Sequence, residues 1–265
     1  MNPTEPSPAI KVRNLTMAYG ERVVMRDLNF TINRGDIFII MGGSGCGKST
    51  LMRHLLGLEE PAMGEVFYGD TNFTTADGEE RNSILQRLGV MYQGGALFSS
   101  MTLAENIALP LSLYTKLSAE QIRSNVTYKL ALVGLAGFED FYPSEISGGM
   151  NKRAAIARAL ALDPHIVFLD EPSAGLDPLS AARLDQLILE LRAQLNCTFV
   201  VVTHELASIF TIGTNGLFLD VAKKTQGALG DPRHLRDHCP DVGIRAFLNR
   251  GETNASASTR TLQTT

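Results

Sequence analysis

The stretch that most constrains this chain is Gly42-Gly43-Ser44-Gly45-Cys46-Gly47-Lys48-Ser49, which fits the pattern G-x-x-x-x-G-K-[ST]. Before it runs Ile37-Phe-Ile-Ile-Met41, with the length and apolarity of a buried strand; after it, Ser49 to Leu58 carries apolar residues at helical spacing. Strand, glycine-rich loop and helix in that order make a phosphate-binding unit. Glycines let backbone amides converge on phosphate oxygens, and the helix start adds partial positive charge. Lys48 is then placed to reach the β- and γ-phosphates, and the Ser49 hydroxyl to coordinate Mg2+. Residues 42–50, Thr50 included, are therefore expected to hold ATP. A glycine-rich turn with an incidental lysine is the plainer alternative, and the flanking strand and helix weigh against it.

A second stretch supplies acid groups. Ile166-Val-Phe-Leu-Asp170-Glu171 is an apolar strand that delivers two carboxylates at its C-terminal end, the edge where α/β sheets bind ligands. Asp170 is expected to hold Mg2+, and Glu171 to polarise the attacking water as a general base. Ile146-Ser147-Gly148-Gly149-Met150 opens a helix rich in Ala and Arg, shortly before that strand. A serine and two glycines at a helix start present exposed amides and a hydroxyl, a second surface for an anion.

Elsewhere the pattern is β-like over Ile10–Leu15 and Asn29–Ile32, then helical from about Gly94 to Pro164. Thr102-Leu-Ala-Glu105 and Ser118-Ala-Glu-Gln121 both have the capping-box form, and Ser147 to Leu162 reads as a third helix. Strand character returns at Ile166–Leu169 and Phe199–Val202, around an amphipathic helix near Leu179–Leu195. This alternation predicts an α/β fold, a parallel sheet with helices on its faces and a helical insertion. A net charge of −4 gives no global reason to expect nucleic acid as a partner. Cys46, Cys197 and Cys239 show neither disulfide nor zinc-ligand spacing, as suits a reducing cytoplasm. Met1–Pro8 does not read as a signal peptide, and every apolar run falls well short of the roughly 18–20 residues that span a bilayer.

With these elements in order, the chain resembles the ABC (ATP-binding cassette) ATPase family from about residue 9 to residue 230. The resemblance implies a P-loop NTPase fold: a RecA-like parallel sheet core with an N-terminal antiparallel β part and an inserted α-helical subdomain. It divides the chain into a discontinuous nucleotide-binding core (9–93 and 165–235) and a helical signature subdomain (94–164). A C-terminal extension (236–253) and a disordered tail (254–265) follow. It also assigns roles. Tyr19 matches the aromatic that stacks on adenine. Gln93 matches the glutamine that senses Mg2+ and the attacking water. Ser173-Ala-Gly-Leu-Asp177 matches the loop crossing the dimer interface, and His204 the histidine that contacts the γ-phosphate. The family's ATPases work as two copies, each ATP held by Lys48, Ser49 and Asp170 of one and capped by Ser147, Gly148 and Gly149 of the other.

Within the family, Met150 stands where glutamine is commonest. Together with Gln93-Gly-Gly-Ala-Leu-Phe98 and the segment Pro240–Gly251, it resembles the ATPases of Mla-type phospholipid transport systems. That resemblance implies membrane permease subunits, an MCE (lipid-shuttling) protein, a small STAS-domain partner in some systems, and a peripheral position on the cytoplasmic face of the inner membrane. Alternatives are the ATPase of a small-solute importer, a non-transport ABC protein of DNA repair or translation, and a P-loop kinase or GTPase. The last lacks a Ser147-Gly-Gly149 counterpart.

Overall fold

The structure is a computed structural model that describes residues 7–250. In chain order the strands are β1 (Pro8–Tyr19), β2 (Arg22–Asn33), β3 (Ile37–Gly42), β4 (Met63–Tyr68), β5 (Thr71–Asn72), β6 (Leu88–Met91), β7 (Ile166–Asp170), β8 (Thr198–Val202), β9 (Asn215–Asp220) and β10 (Thr225–Gly230). The helices are α1 (Lys48–Leu55), α2 (Gly78–Leu85), α3 (Leu103–Tyr114), α4 (Ala119–Leu132), α5 (Gly148–Ala159), α6 (Pro178–Leu195), α7 (Leu206–Ile212), α8 (Pro232–His238) and α9 (Val242–Leu248).

Strand β3 shows why the apolar runs are continuous rather than alternating. Ile37, Ile39 and Met41 point into one core while Phe38 and Ile40 point into another. Strand β7 divides in the same way, Val167 and Leu169 against Ile166 and Phe168, and so does β8, Phe199 and Val201 against Val200 and Val202. A strand covered on both faces must be apolar at every position. These strands belong to a six-stranded sheet of order β10-β9-β3-β8-β7-β6, parallel except where β10 pairs with β9. Beneath one core lies a second, antiparallel sheet of order β2-β1-β4-β5, joined by α1; the helices α3 to α7 cover the other.

Register then decides where the chemistry arrives. Ile40 pairs with Val202, and Asp170 with the same Val202, so β3, β7 and β8 end level with one another. The loops that follow them open at a single C-terminal edge.

Both expected capping boxes form. The Thr102 and Glu105 side chains accept from each other's backbone amides at 3.2 and 2.8 Å, and Ser118 and Gln121 do so at 3.3 and 2.8 Å. Helix α5, capped by Ser147, stops at Ala159 rather than Leu162. Asp163 takes a left-handed φ of 51° there, and the residue before Pro164 is sterically disfavoured in a helix. After the Gln93 turn, the buried amide of Asn106 binds the backbone of Phe98, Met101 and Thr102, fastening that loop to α3.

The last helices pack into the main core. Phe247 of α9 meets Phe218 of β9 edge-on at 5.2 Å, and Leu235, Cys239, Ile244 and Leu248 join the same cluster. The expected tail at 254–265, the end of the expected extension at 251–253 and most of Met1–Pro8 lie outside the described residues. No helix among the described residues is long and apolar enough to cross a membrane.

One buried acid gives the fold a pH dependence. Asp185 of α6 is 3% exposed, accepts a bond from Ser208 Oγ at 2.8 Å, and has no partner for Oδ1 among the described residues. Burial pushes its carboxyl above the usual range, with the Ser208 bond pulling the other way. A raised folded-state pKa contributes stability that is complete below the ordinary value of about 3.9 and lost as pH rises through the raised one. Asp185→Asn is uncharged throughout, so at neutral pH it should exceed the parent's stability by roughly 1–2 kcal/mol, with the gap narrowing in acid. Thermal melts at two pH values check this; a gap independent of pH would contradict it.

Candidate nucleotide site

The loop between β3 and α1 needs its glycines for stated reasons. Gly42 has φ 148°, and a Cβ there would lie 2.7 Å from Cys46 Sγ and 2.8 Å from the Leu219 carbonyl oxygen. Gly47, the N-cap of α1, has φ 91° and would drive a Cβ to 2.9 Å from Val24. No side chain among the described residues caps that helix start, so its first amides have no side-chain acceptor, as suits an anion site. Cys46 is buried under the loop, and burial raises its thiol pKa. Lys48 is buried as well, its Nζ donating to the carbonyls of Gly42 and Gly43 at 3.2 Å each. Thr50 is part-buried, and its carbonyl meets His54 Nδ1 at 2.9 Å.

The carboxylates stand opposite. Ser49 Oγ donates to Asp170 Oδ1 at 3.4 Å. Burial first, and the Glu171 charge second, push the Asp170 carboxyl above its ordinary range; Ser49, Lys48 and Arg53 oppose them. An adjoining hydroxyl and carboxylate are oxygen donors of the kind Mg2+ takes, and their number is small. Among the described residues no group of three or more His, Cys, Asp or Glu could cage a metal. Mg2+ keeps several waters and takes substrate phosphate oxygens for the rest of its shell, so the Ser49 hydroxyl and the Asp170 carboxylate suffice as its protein donors. The residues thus fit magnesium.

Glu171 breaks from the strand with φ 47°, a left-handed conformation costing a non-glycine residue about 1–3 kcal/mol. Its amide is held by the Val202 carbonyl at 2.8 Å, which pins the turn to β8. Oε1 meets His204 Nδ1 at 2.7 Å, while Oε2 is buried with no partner among the described residues. An orphan carboxylate oxygen beside Asp170 is an acceptor waiting for a proton donor, which is what a base needs. His204 itself is exposed, directly after Thr203 at the end of β8.

Three of the sequence-expected groups have hydrogen-bond partners outside this cluster. Tyr19, at the end of β1, is 51% exposed, and its hydroxyl donates to Glu59. Ser147 is exposed, its Oγ accepting from the Met150 amide at 3.3 Å, and Gly148 and Gly149 sit against Leu176 and Ser180. Asp177 is spent as the cap of α6, accepting from Leu179 and Ser180. Gln93 is exposed in the turn after β6, and the grip on that turn is what sequence reasoning missed. Helix α5 sends Lys152 to the Gln93 carbonyl and Arg158 to those of Gly95 and Ala96, at 3.0 and 2.6 Å for the latter two. Burial lowers the Lys152 pKa, while Asp170 and Glu171 act to raise it, so this cation lies within their field. Its only sequence signal was a basic residue on the helix that Ser147 opens.

Comparison with known proteins identifies the family. Residues 25–174 match the family described as "ABC transporter". The chain is 39% identical over 241 residues to the "Probable ribonucleotide transport ATP-binding protein mkl" of Mycobacterium tuberculosis, covering 91% of this chain and 66% of that one. It therefore spans just under two thirds of the length of such mycobacterial relatives. It is 37% identical over 240 residues to the "Intermembrane phospholipid transport system ATP-binding protein MlaF" of Escherichia coli K12, covering 91% and 88%. A solved dimer, the post-hydrolysis state of the ATP-binding cassette MJ0796 bound to ADP and Pi, superposes with a TM-score of 0.74 at 31% identity, covering 83% and 97%. The cbiO1 structure from Clostridium perfringens, at 24% identity and a TM-score of 0.81 over 95% and 99%, shares the fold.

Proposed function

The chain belongs to the ABC transporter family, and from that premise we propose that it is the ATP-hydrolysing subunit of a transporter, working as a pair of copies around two ATP. One observation carries the reading. Lys48 on its glycine carbonyls, Ser49 on Asp170 and Glu171 on His204 are gathered at one sheet edge. Lys48 exchanges its two carbonyl contacts for phosphate oxygens. Glu171 takes the proton of the attacking water at its second carboxylate oxygen, the one not on His204, and His204 steadies both that carboxylate and the charge on the transferred phosphoryl group. Magnesium bound at Ser49 and Asp170 would neutralise charge on the β- and γ-phosphates. Ser147, Gly148 and Gly149 of the second copy cap the triphosphate, and Tyr19 shelves the base. The γ-phosphate favours the closed pair because both helix starts attract its charge; hydrolysis removes that preference. Gln93 passes the motion to the helical lobe, since Lys152 and Arg158 tie its turn to α5.

For the cargo we favour phospholipid, moved with permease subunits and an MCE protein, and with a STAS-domain partner on the helical lobe. The chain would then sit at the cytoplasmic face of the inner membrane. Support comes from the MlaF relative and from Met150, residues 93–98 and the C-terminal segment; no nucleic-acid partner is included, given the net charge of −4. A second reading, ribonucleotide transport, follows from the names of the mkl relatives. Gentle detergent extraction and affinity capture of the full chain should bring down a permease, an MCE protein and phospholipid. Capture of a permease with a small-solute-binding protein in their place would contradict the lipid reading.

A further inference from the structure

We infer that Glu59 is a positioning residue for nucleotide binding, holding the Tyr19 ring as a pre-set shelf for the base; this rests on the proposed stacking role of Tyr19. The Tyr19 hydroxyl lies 2.8 Å from one Glu59 carboxylate oxygen and 2.7 Å from the other, centred on the pair. Its side chain is otherwise open, with half of the residue's surface exposed. A ring free at its tip turns about two side-chain torsions; anchoring the tip fixes both and leaves the face available. A phenol donating to a carboxylate makes a charge-assisted bond, roughly twice as strong as a neutral one.

The carboxylate is itself held. Arg53 Nη1 meets Glu59 Oε1 at 3.2 Å. The Leu58 amide donates to the Arg53 carbonyl at 2.9 Å, closing the turn that carries Glu59 off the end of α1. Helix α1 begins with Lys48 and ends with Arg53 and His54 in its last turn. One short rigid element therefore indexes both ends of the ligand, the phosphates at its start and the base shelf at its finish. Ordering an exposed side chain during binding costs affinity, and an ordered one spares that cost.

The full chain is titrated with Mg-ADP, which carries the base, and with Mg-pyrophosphate, which does not. Glu59→Ala should weaken Mg-ADP roughly 3- to 10-fold, the ordering cost of one side chain, and leave pyrophosphate unchanged. Tyr19→Phe should weaken Mg-ADP by a similar factor, and the double variant no further, since both remove the same bond. Glu59→Gln keeps an acceptor and should recover most of the loss. An equal loss of pyrophosphate affinity in Glu59→Ala would overturn the inference, making Glu59 a prop of the phosphate loop. Undiminished Mg-ADP binding in Glu59→Ala, with a loss in Tyr19→Ala, would overturn the clamp alone. No loss in Tyr19→Ala would overturn the stacking role beneath it.

Discussion

Glu171→Gln is expected to keep ATP bound and to lower turnover by roughly 10²–10⁴-fold, about 3–5 kcal/mol of barrier. The amide is nearly the same size and can still meet His204 Nδ1, so the turn at φ 47° and its bond to the Val202 carbonyl should persist. What disappears is the basicity of the buried oxygen that has no partner among the described residues. In the proposed site affinity comes from Lys48 and the loop amides, which the change does not touch. Single-turnover hydrolysis with binding measured in parallel separates the two effects. Turnover within a few-fold of the parent would remove Glu171 from the role of base.

Lys48→Ala is expected to cost about 10²-fold or more in affinity for the triphosphate, and to abolish hydrolysis through that loss. The Nζ of Lys48 lies 3.2 Å from each of two carbonyls that line the loop mouth. Bonds from a charged donor are worth about 1.5–3 kcal/mol each, so losing two to phosphate oxygens reaches this magnitude. Removing the lysine also leaves those two carbonyls without their donor, so a melt must accompany the titration. A folded variant with native affinity would show that the loop amides alone hold the phosphates.

Much of the fold was legible because it is written locally. Ile37–Met41, Ile166–Leu169 and Phe199–Val202 each announce a strand covered on both faces, and they pair in parallel register. Thr102 and Ser118 announce their helices within four residues, and both boxes form. The shortest elements gave no such signal. Strand β5 is two residues long and pairs with β4, while α8 and α9 are seven-residue helices of about two turns each, and the ring partner of α9, Phe218, lies well back in the chain. The site follows the same division. The loop at Gly42–Ser49 and the pair Asp170-Glu171 are contiguous, so their chemistry shows in the sequence. Glu59 beneath Tyr19, and Lys152 on the Gln93 carbonyl, meet across 40 and 59 residues of chain. Nothing local in an acidic turn or a basic helix face specifies those meetings; they come from how β1 packs on α1 and how α5 lies along β6.

The central claim is that a triphosphate seated on Lys48 of one copy is also held by the Ser147–Gly149 helix start of another. Sedimentation of the Glu171→Gln chain tests it, with and without saturating Mg-ATP, since ATP then outlasts the run. The account predicts a monomer without nucleotide, a dimer with Mg-ATP, and a monomer again when Mg-ADP replaces it. A chain that binds Mg-ATP at full stoichiometry and still sediments as a monomer would contradict it.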